Sequence, residues 1–211
     1  MNRPDVESNP TEILARLSER YPQLKVCEPA IHAAFDTLCS CYRNGGKTLV
    51  CGNGGSAADA EHIVGELMKS FMRRRPLNRE WVAHLPDELA AKLEGALPAV
   101  SLVSMSGIIT AFANDVAWET AFAQQVVGLG RSGDTLIALS TSGNSVDCVN
   151  AALVAKAMGI RVVSFTGQQG GRLSEIADAA IKVPETETYK VQELHLPVYH
   201  AICAALEAAL F

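Results

Sequence analysis

Five short apolar runs, separated by stretches of helical periodicity, constrain this chain more than any other feature of its sequence. They are TLVCG (48–52), AVSLVS (99–104), TLIALS (135–140), RVVSFTG (161–167) and AAIKVP (179–184). Runs this short that stay apolar instead of alternating read as strands buried on both faces. The stretches between them, roughly 56–72, 118–128, 145–158 and 171–177, carry helical spacing. Strand alternating with helix predicts an α/β fold, a three-layer α/β/α sandwich around a five-stranded parallel sheet. Ile13, Leu14 and Leu17, then Ile31, Phe35 and Leu38, mark extra N-terminal helices within residues 10–45. The last segment, about 188–210, is apolar nearly all round and predicts a long C-terminal helix. With no polar face it must be buried, in the core or between subunits. Residues 1–211 thus read as a single domain with its α/β core over 46–185. An insert at about 78–97 interrupts the core with a polar stretch and a short helix opening near Asp87.

The fraction of hydrophobic residues, 48%, is ample for a buried core and excludes a disordered or collagenous chain. The net charge of −5 leaves no basic field for phosphodiester backbone, so nucleic acid is not expected as a partner. The single basic run, Arg73–Arg74–Arg75, reads as the solvated end of a helix. Six scattered cysteines lack zinc-finger spacing and suit buried thiols in a reducing compartment. The opening MNRPDVESNPTEI has no apolar stretch, so it is not read as a signal peptide, and no window reaches the length of a membrane span. The expectation is a cytoplasmic protein with no membrane partner.

In an open parallel sheet, ligands bind beyond the carboxyl ends of the strands. After the first strand comes Gly52–Asn53–Gly54–Gly55–Ser56, with Ser56 placed to cap the following helix and its free N–H groups suited to an anion. The glycine spacing loosely fits a dinucleotide fingerprint, but the next strand lies some 50 residues on and ends without an acid. After the third strand comes Ser140–Thr141–Ser142–Gly143–Asn144–Ser145, short donors and a glycine at a strand-to-helix turn. Without a Gly-Lys-[Ser/Thr] ending it is no nucleotide loop, and a phosphorylated small molecule is the better reading. The helix after the first loop places His62 and Glu66 one turn apart on one face, a spacing that suits one metal ion. The last helix adds Gln192, Glu193, His195 and His200.

Taken together, the Gly52–Ser56 loop, His62 with Glu66, the Ser140–Ser145 loop and the Gln–Glu–x–His…His tail resemble the sugar isomerase (SIS) domain. Within it they resemble the phosphoheptose isomerases. The likeness runs from about residue 28 to the end, with the insert as an interruption. It implies a flavodoxin-like sheet and an aldose–ketose isomerase that converts sedoheptulose 7-phosphate to D-glycero-D-manno-heptose 7-phosphate in bacterial surface-heptose biosynthesis. It also implies a homotetramer with active sites between subunits and one zinc ion per subunit. Carried over by position, the metal ligands would be His62, Glu66, Gln192 and His200. Substrate contacts would come from Asn53, Gly54, Gly55, Ser56, Glu66, Asn114, Asp115 and Gln192, with Ser140, Thr141, Ser142 and Ser145 on the phosphate.

Moving a carbonyl between C1 and C2 through an enediol needs one base and one acid, and Glu66 and His200 are the candidates. A carboxylate bound to zinc is a weaker base, so its roles as ligand and base would fall at different moments. Three positions depart from the family pattern: Ser70 where an arginine is common, Tyr189 where an aspartate is common, and Pro197 between two proposed ligands. Pro197 removes one helix hydrogen bond. The competing reading is a non-catalytic SIS binding module, similar to the tetrameric factor that associates with the bacterial replication initiator and lacks the Glu66-type carboxylate. A further alternative is an isomerase of another sugar phosphate.

Overall fold

The computed structural model describes residues 9–211; residues 1–8, the first part of the polar opening, are outside the described residues. Helix α1 (Pro10–Arg20) starts on Asn9, whose side-chain oxygen accepts the Thr11 N–H, with proline in the first helical position. A short 3₁₀ turn (Pro22–Cys27) leads into α2 (Glu28–Arg43), as the apolar periodicity predicts. Strand β1 (Thr48–Gly52) is followed by α3 (Gly55–Met68). The insert holds two single-turn helices, α4 (Arg79–Val82) and α5 (Asp87–Ala90), and leads to β2 (Ala99–Ser101). Helices α6 (Ser106–Phe112) and α7 (Ala121–Leu129) precede β3 (Thr135–Leu139) and α8 (Val146–Ala157). Then come β4 (Arg161–Thr166), α9 (Gly171–Ile176), β5 (Ala179–Lys182) and the long α10 (Thr188–Leu210).

The five strands form one parallel sheet in the order β2-β1-β3-β4-β5, the flavodoxin-like arrangement. Both faces are covered, and the side chains divide by the period-two alternation of a strand. Val50, Ile137, Leu139, Val163, Phe165 and Ile181 pack with α1, α2, α3 and α10. Leu49, Cys51, Leu136, Ala138 and Val162 pack on the other side with α7 and α8. Among the boundaries that differ from the sequence expectation, two have a direct physical cause. Strand β2 stops at Ser101 because the chain turns away after the Leu102 N–H reaches the Val50 carbonyl. Helix α3 stops at Met68 because the chain there is captured by buried charges.

Those charges correct the reading of Arg73–Arg75 as a solvated helix end. Arg75 is fully buried, and its Nε meets Glu207 Oε1 of α10 at 2.7 Å. Its two terminal nitrogens donate to the carbonyls of Leu67 and Glu66 at 2.5 and 2.9 Å, closing the exposed end of α3. Glu207 also accepts the backbone N–H groups of Phe71, Met72 and Arg73 at 2.7–2.9 Å. The basic run could not be read correctly by itself, because the acid that buries it lies 132 positions later.

His195 on α10 is likewise wholly buried, with Nε2 3.2 Å from the Thr166 carbonyl and its ring edge-on to Phe165. Burial lowers its pKa from the usual 6.5 to about 4. The unfolded chain therefore takes up this proton before the folded one does. Stability from the neutral ring is complete above pH 6.5 and is lost as pH falls towards 4.

Two outcomes are expected. Arg75→Met should cost about 3–5 kcal/mol in urea unfolding, since it strands a buried carboxylate; a loss below about 1 kcal/mol would contradict the anchoring role. Between about pH 7.5 and about pH 5, unfolding midpoints should fall less for His195→Gln than for the unsubstituted chain. Equal falls would show that His195 does not carry the acid sensitivity.

Candidate functional site

Strands β1 and β3 are neighbours, and the chain leaves them in opposite directions across the sheet, which opens a crevice at their carboxyl ends. Both chemistry-bearing loops stand there. In the first, Gly54 takes φ +57° and forms the cap position of α3, so that Ser56 lies inside the first turn and makes no cap bond, contrary to the sequence expectation. The glycine supplies a conformation that a Cβ would oppose. Ser56 is buried instead, and accepts from Gln192 Nε2 at 3.5 Å. Gln192 also lies over Gly55, where an added Cβ would come within 2.7 Å of its Oε1.

In the second loop, Ser140 and Ser145 hydroxyls bond to each other at 2.8 Å, and Ser145 immediately precedes α8. Ser142 Oγ accepts the Asn144 N–H at 3.1 Å. Gly143 has φ +69° and packs so tightly that a Cβ would overlap the Gly170 carbonyl, which fixes the loop. Ser140 is buried, whereas Ser142 is exposed and Thr141 half-buried. An anion entering here would meet the hydroxyls of Thr141 and Ser142 at the start of α8, where the Cys148 N–H is already taken by Asp147 Oδ1. The two loops are tied together by Asn53, whose Nδ2 donates to both carboxylate oxygens of Asp147 at 2.9 Å.

Helix α3 and helix α10 run side by side in the same direction, pairing Ser56 with Gln192, then Asp59 and His62 with Tyr199, then His62 with His200. His62 Nε2 lies 3.3 Å from Glu66 Oε1 and 3.3 Å from His200 Nε2. Lys69 Nζ reaches the other Glu66 oxygen at 3.1 Å. Phe71 backs the His200 ring, centroids 5.4 Å apart. Burial, reinforced by His62 and opposed by Glu66, holds the His200 pKa below its ordinary value, so the ring is neutral near pH 7.

With ligand distances of about 2.0–2.1 Å, tetrahedral zinc sets neighbouring donors about 3.3 Å apart. Both donor pairs that share His62 Nε2 have that separation, and two imidazoles with a carboxylate are a zinc donor set. No three His, Cys, Asp or Glu side chains among the described residues already close round one point. Gln192, the fourth implied ligand, hydrogen-bonds to Ser56, about 9 Å back along α3 from His62 at 1.5 Å per residue.

The structure thus gathers His62, Glu66 and His200 in one cluster and Asn53, Gly54, Gly55, Ser56 and Gln192 at the adjoining loop. Asn114 and Asp115 stand apart. They lie on a π-helical turn (Ala113–Ala117), exposed and hydrogen-bonded to each other at 2.8 Å. Four contributors were not read from sequence: Asp59, Tyr199, Asp147 and the Arg75–Glu207 pair. The pair left a visible signal, Arg75 in the basic run and Glu207 as a lone charge inside AICAALEAAL; the other three left none.

Models of the SIS domain match residues 14–96 and 107–210. The phosphoheptose isomerase of Rhodospirillum rubrum is 38% identical over 184 residues, covering 87% of this chain and 88% of that protein. The phosphoheptose isomerase of Mycobacterium tuberculosis is 41% identical over 187 residues, covering 89% and 86%. Among solved structures, the phosphoheptose isomerase from Neisseria gonorrhoeae superposes with a TM-score of 0.73 at 31% identity, over 92% of each chain. The one from Francisella tularensis gives 0.75 at 30%, over 89% of this chain and 90% of that one.

Proposed function

Because this chain belongs to the phosphoheptose isomerase family of SIS-domain proteins, we propose that it interconverts sedoheptulose 7-phosphate and D-glycero-D-manno-heptose 7-phosphate. The observation that carries the reading is the meeting of His62, Glu66 and His200 beside two anion-suited loops. The phosphate rests on Thr141, Ser142 and the start of α8, and the reacting end of the sugar extends past Asn53–Ser56 to the α3–α10 cluster. Seven carbons in extended form suit such a two-part site, with the charged group at one end and the carbonyl at the other.

The reaction removes a proton from C1 of the ketose and delivers one to C2, while a proton moves from the C1 oxygen to the C2 oxygen. Glu66 is the base. Its carboxylate is held by Lys69 on one oxygen and faces His62 with the other, and its backbone carbonyl is fixed by Arg75. His200, neutral and backed by Phe71, relays the proton between the two oxygens. A zinc ion held by His62, Glu66 and His200 would polarise the carbonyl as a Lewis acid. Gln192 would have to leave Ser56 to join them; where it stands, its amide faces the first loop and serves sugar hydroxyls.

Ile108, Val116 and Trp118 are 38%, 64% and 59% exposed around Asn114 and Asp115. Apolar side chains left so open support a subunit interface. We read the assembly as a homotetramer in which Asn114 and Asp115 complete a neighbouring site. No helix among the described residues is long and apolar enough to cross a membrane, and the six cysteines are buried as free thiols, which supports a cytoplasmic enzyme. Its product class suits the synthesis of lipopolysaccharide and related surface glycans. The non-catalytic alternative is disfavoured by Glu66, which sits in the cluster with both histidines.

Glu66→Gln should keep the folded assembly and lower kcat by at least about 10²-fold, the usual scale for losing a general base. Steady-state kinetics with sedoheptulose 7-phosphate, alongside size-exclusion chromatography, measure both. A kcat within a few-fold of the unsubstituted chain would remove Glu66 from the mechanism.

A further inference from the structure

One hydroxyl behind the cluster decides which nitrogen of His62 carries the proton. Tyr199 is 1% exposed, on the turn of α10 just before His200. Its hydroxyl donates to Asp59 Oδ1 at 3.1 Å and lies 3.0 Å from His62 Nδ1. A phenol has one proton to give, and a carboxylate draws it more strongly than a neutral imidazole does. With that proton on the Asp59 side, the oxygen can only accept from His62, so Nδ1 must carry the hydrogen. Nε2 is then left with its lone pair, on the side where Glu66 and His200 stand 3.3 Å away.

The opposite tautomer has an evident attraction of its own. Glu66 would take a proton from Nε2–H, and nothing on the α3 helix opposes it. The hydroxyl–carboxylate pair is what tips the balance. Desolvation raises the Tyr199 pKa, so the group remains a hydroxyl near neutral pH. Asp59 makes this bond although its Oδ2 is buried without a partner, a cost that needs a reason. The ring geometry adds stiffness: Tyr199 meets His62 edge-on at 5.4 Å and 73°, and meets His200 at 4.9 Å and 82°.

We infer that Tyr199 and Asp59 are positioning residues, a hydrogen-bonded relay that holds His62 in the Nδ1–H form and keeps its Nε2 lone pair open towards Glu66 and His200. Neither would touch substrate. The relay does for His62 what an outer carboxylate does for many metal-bound histidines, with a tyrosine interposed. The inference deepens the proposed function only where zinc is concerned; the tautomer itself is a property of the metal-free chain.

The test uses Tyr199→Phe, which deletes the hydroxyl and leaves the ring. Nitrogen-15 NMR of the imidazoles in metal-free protein at about pH 8, above the ordinary histidine range, reports the tautomer. The unsubstituted chain should show His62 as Nδ1–H, and Tyr199→Phe should convert it to Nε2–H. Chelator competition should show zinc binding weakened roughly 10- to 100-fold. Turnover should lose kcat with KM for the sugar phosphate unchanged, because the phosphate loop is untouched. Should Tyr199→Phe fail to fold, Asp59→Ala at the half-exposed position frees the tyrosine proton to turn to Nδ1, and the same conversion is expected. An unchanged His62 tautomer in either folded variant overturns the relay. Failure of both proteins to bind zinc would overturn the metal reading alone, and the tautomer would still decide the relay.

Discussion

The carboxylate of Glu207 holds together the two helices on which the proposed chemistry stands. It lies on α10, fully buried, and collects three consecutive backbone N–H groups from residues 71–73 together with the Arg75 guanidinium. Arg75 in turn closes the end of α3 by donating to the carbonyls of Glu66 and Leu67. One buried ion pair thus fixes where α3 ends, where the chain goes next and how α3 lies against α10. Removing both charges from water is expensive, and the arrangement is tolerable because the other lone pairs and protons of the pair also find partners. His62, Glu66, Tyr199 and His200 meet at the seam that this lock defines.

The site is assembled from parts with different physical tasks. The sheet places two loops at the β1/β3 crevice, where backbone N–H groups and hydroxyls would hold the proposed phosphate without help from basic side chains. That resolves how an acidic chain would bind a sugar phosphate: the attraction is local, from aligned peptide dipoles and short donors, and needs no basic field. The groups proposed to transfer protons lie on helices, where packing limits their rotamers. Asn53 with Asp147 and Tyr199 with Asp59 form an outer layer of part-buried hydrogen bonds that orients the groups in front of it.

What could be read from the sequence was what is encoded locally. The apolar runs gave the strands, their continuity showed both faces covered, and the loop after each central strand carried its glycines and hydroxyls in plain view. His62 and Glu66 at one-turn spacing were visible for the same reason. The pairings that complete the site span 132 to 140 positions and have no period to betray them. Arg75 reads as a solvated charge while Glu207 is out of view, nothing in the apolar run of α10 marks Tyr199, and Ser56 reads as a cap because the Gly54 backbone conformation is not written in residue type. Gln192 and His200 share α10 but face different turns of α3, one at the loop and one at the cluster.

The account stands or falls on proton transfer at the α3–α10 seam. The most direct measurement is proton NMR of the purified chain incubated with sedoheptulose 7-phosphate in heavy water. The account predicts an aldoheptose 7-phosphate carrying deuterium at C2, delivered by a base that exchanges with solvent during an enediol intermediate. Folded, zinc-loaded protein that yields no aldose would contradict it.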